Sequence, residues 1–189
     1  MQIESHFPNG FILFVSQVLP HKRVDHALGI VHLLRTIHHL DIGLVVAGPI
    51  RQPSYEYALR RFRQKLNDCH VLFTDSVTDS QLATLYRSCI CYIGTSEHEG
   101  LSVPPLEAMA NLAPVVVRGA GAVPETVGIG GIVLDQHVGL LEFTETIACV
   151  VKSPELQSSL RRSGAERINE IDAGFSSSAL AEVLLGVLE

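Results

Sequence analysis

The sequence has no surplus of basic residues, no long apolar run and no N-terminal pattern typical of a signal peptide, and each absence argues against a class of protein. Its formal net charge of −6 opposes non-specific nucleic-acid binding, because neutralising many phosphates requires an excess of Lys and Arg on one face. The apolar stretches are each too short to cross a bilayer, and the N-terminus MQIESHFPNG has neither the basic start nor the apolar core of a signal peptide. We therefore expect a cytoplasmic protein that binds no nucleic acid. A single small anion stays compatible with an acidic protein, since backbone amides and one or two cations suffice to hold it.

The cysteines and histidines form no metal-binding pattern. Cys69, Cys89, Cys91 and Cys149 include no Cys-x-x-Cys pair, so we expect buried, reduced thiols. None of the nine histidines belongs to a set of ligands at the spacing of a structural zinc site. The sequence therefore predicts no metal site.

Short apolar runs rich in β-branched residues alternate with longer amphipathic segments, which is typical of βαβ units and a parallel sheet. At 189 residues the chain is long enough for one well-buried domain. We therefore predict an α/β fold over residues 1–189, with a doubly wound, mostly parallel, Rossmann-like sheet of about six strands. The predicted strands span 11–16, 43–48, 69–74, 90–94, 114–117 and 131–134, and the predicted helices span 24–39, 53–66, 79–88 (capped by Asp79) and 104–110, followed by two or three helical segments.

The segment after the fourth predicted strand carries the residues best suited to bind a ligand, because ligands of such sheets sit beyond the carboxyl ends of the strands. Here Gly100, Leu101 and Ser102 offer free backbone N–H groups where a helix begins, which is a natural anion site. Glu99 and Glu107 are separated by seven residues, and a carboxylate about one turn into the helix can accept hydrogen bonds from sugar hydroxyls. Taken singly, Glu107 is an ordinary dipole-stabilising surface residue and Glu99 a loop carboxylate. Together they favour a ligand that is anionic in the middle and hydroxylated at both ends.

The segment EGLSVPPLE, followed by EAMA and PVVV, resembles the retaining glycosyltransferases of family 4, whose GT-B architecture has two facing Rossmann-like domains. The later stretches GAVPETVG and GGIVLD fit the same pattern. The resemblance runs from about Phe11 to Asp135 and covers only the C-terminal, donor-binding half of such enzymes. It implies that the chain is a single nucleotide-sugar-binding domain and that the N-terminal acceptor-binding domain is absent from it.

The resemblance implies a role for each motif residue. Glu99 and Lys22 are the implied catalytic residues: Glu99 lies near the transferred sugar, and Lys22, in LPHKRVD, contacts the diphosphate. Glu107 is implied to hold the ribose hydroxyls. The amides of Gly100, Leu101 and Ser102 are implied to meet the diphosphate or the sugar. Without the resemblance, Lys22 is an ordinary solvated lysine.

One departure from the family pattern concerns the diphosphate. The family commonly has Gly-Arg after the first strand, where this chain has Ser16 and Gln17. Gln17 is expected to donate a hydrogen bond to the donor, but a charge-assisted bond is roughly twice as strong as a neutral one. One of the two usual cations that stabilise the leaving group is therefore missing.

A second departure is Leu112, which stands where the family usually has glycine.

The implied function is transfer of a sugar from a nucleotide diphosphate sugar to an acceptor such as a growing or lipid-linked glycan. Lys22 and the helix N-terminus supply the charge stabilisation that the leaving phosphate needs, so no metal or other cofactor is expected. The isolated half is expected to be inactive, and an enzyme of this kind would reach the inner face of the membrane through the missing half.

Two other functions stay open from the sequence. The chain fits a degenerate, non-catalytic nucleotide-sugar-binding partner domain, or another GT-B enzyme such as a nucleotide-sugar epimerase. A phosphoacceptor receiver domain is excluded, because the acidic residues it needs after the first strand are replaced by Ser16 and Gln17. An NAD-binding domain is excluded because the glycines of the GAG stretch follow the fifth strand and not the first.

Overall fold

The strand Phe11–Val15 (β1) is the centre of the fold, because it pairs in parallel with Gly43–Ala47 (β2) on one side and with Cys91–Gly94 (β4) on the other. The computed structural model describes residues 6–66 and 70–174. Its sheet has six strands in the order β3-β2-β1-β4-β5-β6, and every pairing is parallel. This is the strand order of a doubly wound Rossmann fold, so the predicted fold class is confirmed. The remaining strands are Val71–Asp75 (β3), Val115–Arg118 (β5) and Ile132–Leu134 (β6).

Helices connect the strands and cover both faces of the sheet. Two core clusters result from the two-residue period of a strand: Ile12 and Phe14 face one cluster, whereas Leu13 faces the other. All five residues of β2 are buried, as expected for a central parallel strand covered on both faces. The helices are Val24–Thr36 (α1), Pro53–Leu66 (α2), Asp79–Ser88 (α3), Val103–Ala110 (α4), Val123–Val127 (α5), Leu140–Lys152 (α6) and Pro154–Gly174 (α7), with 3-10 turns at Pro20–Lys22 and Gly128–Gly130.

The predicted element boundaries agree with the structure to within a few residues, and the differences are one helix end and one short helix that was not predicted. The first helix was predicted to reach residue 39 but ends at Thr36. The predicted strand 69–74 is β3, and its first predicted residue, Cys69, lies outside the described residues. The short helix α5 had no counterpart in the prediction, because five residues are too few for a 3.6-residue apolar period to be visible.

The cap of α3 is Thr78 and not Asp79. The Thr78 side chain accepts a hydrogen bond from the backbone N–H of Gln81, and the Gln81 side chain accepts one from the backbone N–H of Thr78. This reciprocal arrangement satisfies two of the N–H groups that the first turn leaves free. Asp79 occupies the first helical position, where its charge suits the positive end of the helix dipole.

The prediction of buried thiols holds for two of the three described cysteines. Cys89 and Cys91 are buried, and burial raises the pKa of the Cys89 thiol to about 12. Cys149 is exposed, so the prediction was wrong there. The reason is its position on α6: Ala148 and Val150 face the core on either side of it.

Within residues 6–66 and 70–174, no helix is both long enough and apolar enough to span a bilayer.

Candidate functional site

The loops that follow β1 and β4 meet at one point of the sheet rim. These two strands are neighbours, whereas the strand orders on either side of them run in opposite directions. The crevice at such a switch point is where open parallel sheets bind ligands. The loop after β1 carries Lys22, and the loop after β4 carries Glu99, so both predicted catalytic residues lie at this crevice.

Lys22 and Glu99 form an ion pair across the crevice. Lys22 Nζ lies 2.7 Å from Glu99 Oε1, and the two side chains are only 19% and 14% exposed. An ion pair so far shielded from water is screened less by salt than a surface pair. The structure therefore brings together two predicted residues that are 77 positions apart in the chain.

Thr95 holds the two loops together, and the sequence pattern gave no signal for it. Its side chain is fully buried, and its Oγ1 lies 3.0 Å from the carbonyl oxygen of Lys22 and 2.9 Å from that of Arg23, so one hydroxyl proton is shared between two acceptors. The backbone N–H of Glu97 donates to the carbonyl of His21 at 2.9 Å. These bonds fix the backbone from which the Lys22 side chain extends.

Two non-glycine residues in the left-handed region flank the ion pair. Arg23 has φ 53° and is the N-cap residue of α1, and Ser102 has φ 54° and is the N-cap residue of α4. Such a conformation costs a side chain roughly 1–2 kcal/mol, and it persists only where surrounding contacts determine it. At Arg23 those contacts include hydrogen bonds to the Asp25 carboxylate, with Nη2 2.9 Å from Oδ2, and a contact with Glu97.

The start of α4 presents unbonded backbone amides to the same crevice. Among the described residues, the N–H groups of Gly100, Leu101 and Ser102 donate to no acceptor of the protein. Positions 104 and 105 are prolines, which have no N–H group, so the available donors of this helix start are concentrated just before it. Ser102 lines a narrow pocket together with Glu99. The arrangement suits an anion bound between Lys22 and these amides.

Glu107 lies on α4 and is held by Tyr86, which the sequence did not single out. The Tyr86 hydroxyl donates to Glu107 Oε2 at 3.0 Å and is itself 3.2 Å from the carbonyl of Pro104. Burial, followed by the charges of Tyr92 and Glu107, raises the pKa of Tyr86 far above its ordinary value, so the phenol keeps its proton as a donor. One carboxylate oxygen of Glu107 is thereby fixed.

Glu107 and Glu99 line different pockets. The Glu107 pocket lies between α3 and α4, with Asp79, Tyr86 and Asn111 in its wall. The ring of Tyr92 is close enough to both carboxylates that, after burial, their charges raise its pKa. The two glutamates are therefore neighbours across a buried phenol. A ligand that reaches both must extend over this wall.

Within the described residues, Gln17 makes no hydrogen bond to Lys22 or Glu99. It is exposed at the end of β1, and its contribution to the local network is its carbonyl, which accepts from Ser16 Oγ at 2.9 Å. Leu101 is 63% exposed, so its amide and not its side chain belongs to the crevice wall. Within the described ranges, no group of three or more His, Cys, Asp or Glu side chains is placed to hold a metal ion.

The chain is similar to known sugar-transferring proteins. The family model for glycosyl transferases group 1 matches residues 4–167. The MMP alpha-(1->4)-mannosyltransferase of Mycolicibacterium hassiacum is 30% identical over 191 residues, which cover 98% of this chain and 44% of that protein. The serotype-specific mannosyltransferase WbdA of Escherichia coli is 28% identical over 131 residues, which cover 69% of this chain and 16% of WbdA.

Solved structures share the fold. Anabaena Alr3699/HepE, in complex with UDP and glucose, superposes with a TM-score of 0.76 at 19% identity over 94% of this chain and 48% of its own. The chain thus spans less than half the length of each of these proteins.

Gly121 tests how tightly the Glu99 loop is packed. It has φ +60°, and a Cβ placed there would lie 2.1 Å from the Glu99 carbonyl oxygen. Gly121→Ala is therefore expected to lower the free energy of unfolding by more than the ~1–2 kcal/mol of left-handed strain alone. Urea denaturation measures the change.

The matched control is Gly100→Ala, because a Cβ at Gly100 meets no atom within 4 Å and the residue is not in the left-handed region. Its effect is expected to stay within about 0.5 kcal/mol. Equal stability of the two variants would contradict the described packing of Gly121 on the Glu99 loop.

Proposed function

The chain belongs to the glycosyl transferases group 1 family and has the fold of a GT-B C-terminal domain, and from this premise we propose that it is the donor-binding half of a retaining glycosyltransferase. The observation that carries the proposal is the Lys22–Glu99 ion pair beside the open amides of residues 100–102 at the sheet switch point. A cation and amides bind a diphosphate, and a carboxylate binds sugar hydroxyls. A nucleoside diphosphate sugar contains both groups, because the anomeric carbon of the sugar is bonded directly to an oxygen of the terminal phosphate.

Donor binding exchanges the partner of Lys22. In the free site the ammonium group is paired with Glu99 at 2.7 Å. A bound diphosphate offers the ammonium group a stronger acceptor, and the Glu99 carboxylate is then released to accept hydrogen bonds from the sugar. Glu107, already fixed by Tyr86, takes the ribose hydroxyls with its remaining oxygen. The donor then extends from the crevice over the wall that separates the two pockets.

The reaction breaks the bond between the anomeric carbon and the phosphate oxygen and forms a bond from that carbon to an acceptor hydroxyl. Negative charge builds on the departing diphosphate, where Lys22 and the amides of residues 100–102 stabilise it. In a retaining transfer the acceptor attacks on the face that the phosphate leaves, so the leaving phosphate oxygen takes the acceptor proton. The charge stabilisation comes from the protein, and the proposed chemistry uses no metal.

The names of the relatives support mannose as the transferred sugar, since two of them are mannosyltransferases. The complex of Alr3699/HepE with UDP and glucose supports a nucleoside diphosphate site on this fold. An acceptor glycan, and an acceptor-binding half that presents it, complete the proposed enzyme. A second candidate is a non-catalytic partner domain, which the uncharged and exposed Gln17 favours.

The chain alone is expected to bind a nucleotide sugar and to transfer nothing. Alignment of two reactants contributes ~7–11 kcal/mol to catalysis, and a donor half without an acceptor half forfeits most of it. Thermal denaturation with a panel of nucleotide sugars identifies the donor, because a ligand at 100 times its dissociation constant adds about 2.7 kcal/mol of stability. Release of nucleoside diphosphate is then measured with and without an acceptor half fused to the N-terminus.

Three outcomes of that measurement separate the candidates. Turnover only in the fusion supports the donor-half proposal. Tight binding without turnover in either form supports the non-catalytic partner domain. Efficient transfer by the 189-residue chain alone would overturn both.

Lys22→Ala is expected to weaken nucleoside diphosphate binding by about 1.5–3 kcal/mol, the range of a hydrogen bond to a charged group. The salt dependence of the remaining affinity should also fall, because one phosphate contact is lost. Isothermal titration with UDP and GDP measures both effects. Lys152→Ala is the matched control, since Lys152 is an exposed lysine at the end of α6. A loss of the same size in the control would remove Lys22 from the proposed site.

Glu107→Ala is expected to weaken the binding of a nucleoside diphosphate by roughly tenfold or more, and to leave inorganic pyrophosphate binding unchanged. The reason is that the ribose contact disappears while the phosphate contacts stay. Tyr86→Phe should give a smaller loss in the same direction, because the carboxylate remains but its fixed orientation is lost. Equal weakening of UDP and pyrophosphate in Glu107→Ala contradicts the ribose role.

A further inference from the structure

Arg118 is a buried cation without a carboxylate partner. It is the last residue of β5 and is only 6% exposed. Its Nη1 donates to the carbonyl of Gln136 at 3.0 Å, and its Nη2 lies 3.0 Å from Nδ1 of His26. None of the ion pairs among the described residues includes Arg118. Removing a charge from water without a counter-charge is costly, so such a guanidinium requires an explanation.

The Nε atom of Arg118 has no hydrogen-bond partner at all. It is the one buried side-chain nitrogen or oxygen within the described ranges for which none is found. A guanidinium cannot lose its proton in a protein, so Nε always carries a hydrogen and is a hydrogen-bond donor that lacks an acceptor here. The two terminal nitrogens of Arg118 contact the Gln136 carbonyl and the His26 ring, neither of which is an acid, whereas the Nε–H group has no acceptor.

The nearby carboxylates are already engaged by Arg23. Arg23 binds Asp25 and contacts Glu97, and the Asp25 hydrogen bond is the largest cause that raises the pKa of Arg23. Burial, followed by the charge of Arg23, lowers the pKa of Arg118. Arg118 is therefore repelled by the charge of Arg23, and the nearby carboxylates of Asp25 and Glu97 are already bound to Arg23. An anion entering this region gains from both effects.

Arg118 lines the pocket that also has Glu99 and Ser102 in its wall. Pro105, in the first turn of α4, lines the same pocket, and its Glu99 is the ion-pair partner of Lys22. Arg118, the residue that precedes the helix and the carboxylate partner of Lys22 therefore line one pocket. The independent observation is the free Nε of a side chain that is more than nine-tenths buried.

We propose that Arg118 binds the diphosphate of the donor together with Lys22, as the second cation of the site. The inference rests on the proposed donor-binding function and extends it by one residue. A guanidinium offers two parallel donors to phosphate oxygens, which a lysine does not. In the free protein the Lys22–Glu99 pair and the neutral partners of Arg118 occupy these groups, and the diphosphate replaces Glu99 and supplies the acceptor that Nε lacks. The uncharged Gln17 then leaves no deficit of positive charge at the site.

The test compares Arg118→Gln with the wild-type chain in titrations with UDP, GDP, the corresponding nucleosides and inorganic pyrophosphate. The tighter of the two nucleoside diphosphates serves as the probe. Arg118→Gln is expected to weaken the diphosphate and pyrophosphate by about 10- to 100-fold and to leave nucleoside binding within about twofold. The slope of affinity against salt should become shallower by about one phosphate contact.

Arg35→Gln is the matched arginine control. Arg35 lies at the opposite end of α1, where it pairs with Asp41, away from the rim. Its substitution should leave diphosphate and nucleoside affinity unchanged. An equal loss of diphosphate and nucleoside binding in Arg118→Gln would mean that Arg118 only supports the fold, and it would overturn the inference, as would no loss at all.

If Arg118→Gln does not fold, an NMR titration of the wild-type protein tests whether Arg118 binds the diphosphate. The Nε–H groups of arginines are visible by nitrogen-15 NMR, and the Arg118 signal is expected to shift on titration with pyrophosphate. An unchanged Arg118 signal while the amides of residues 100–102 shift overturns the inference and leaves the proposed function intact. If no nucleoside diphosphate and no pyrophosphate binds the wild-type chain, the proposed function fails, and the inference fails with it.

Discussion

The parallel pairing of β1 with β4 is the contact on which the site depends. Ile12 and Leu13 of β1 are in register with Cys91 and Tyr92 of β4, although residues 16–90 of the chain lie between the two strands. Because both strands point the same way, the loops that leave their carboxyl ends emerge side by side. No other strand of this sheet lies between them, so the loop with Lys22 and the loop with Glu99 have to meet.

The meeting of the loops is stabilised by polar contacts that leave charge available at the rim. Thr95 binds the backbone on both sides of the Lys22–Arg23 peptide, and Gly121 packs on the Glu99 carbonyl. These contacts use backbone groups, and among residues 6–66 and 70–174 the ion-pair partner of the Lys22 side chain is Glu99. In the free site the Glu99 carboxylate is the partner of the Lys22 ammonium group. A phosphate of a bound ligand can replace that carboxylate as the partner. Preorganisation of this kind lowers the cost of ordering on binding.

Much of the fold was predictable because the signals are local. The strands are apolar runs buried on both faces, and the helices carry an apolar face with a 3.6-residue period, so both leave a pattern in neighbouring residues. The predictions were wrong where an element is too short to show a period, where two neighbouring residues are equally good helix caps, and where the exposure of one residue depends on the helix face it occupies. The helix α5 is five residues long, Thr78 and Asp79 are both good cap residues, and Cys149 is exposed because of its place on the turn of α6.

The same distinction applies to the site: some of its features were predictable from local sequence, and others depended on the tertiary structure. By itself the sequence determined the α/β class, the helix start after the fourth strand, and the candidate residues Glu99 and Glu107, because these lie in a contiguous motif at the end of a predictable strand. The resemblance to family 4 glycosyltransferases added Lys22. Only the tertiary structure decided that Lys22 pairs with Glu99, that Tyr86 orients Glu107, that Thr95 joins the loops and that Arg118 lies buried without an acid. The physical reason is that each of these depends on a distance between side chains on different strands or helices. Such distances are set by strand order and helix packing, which no local pattern encodes.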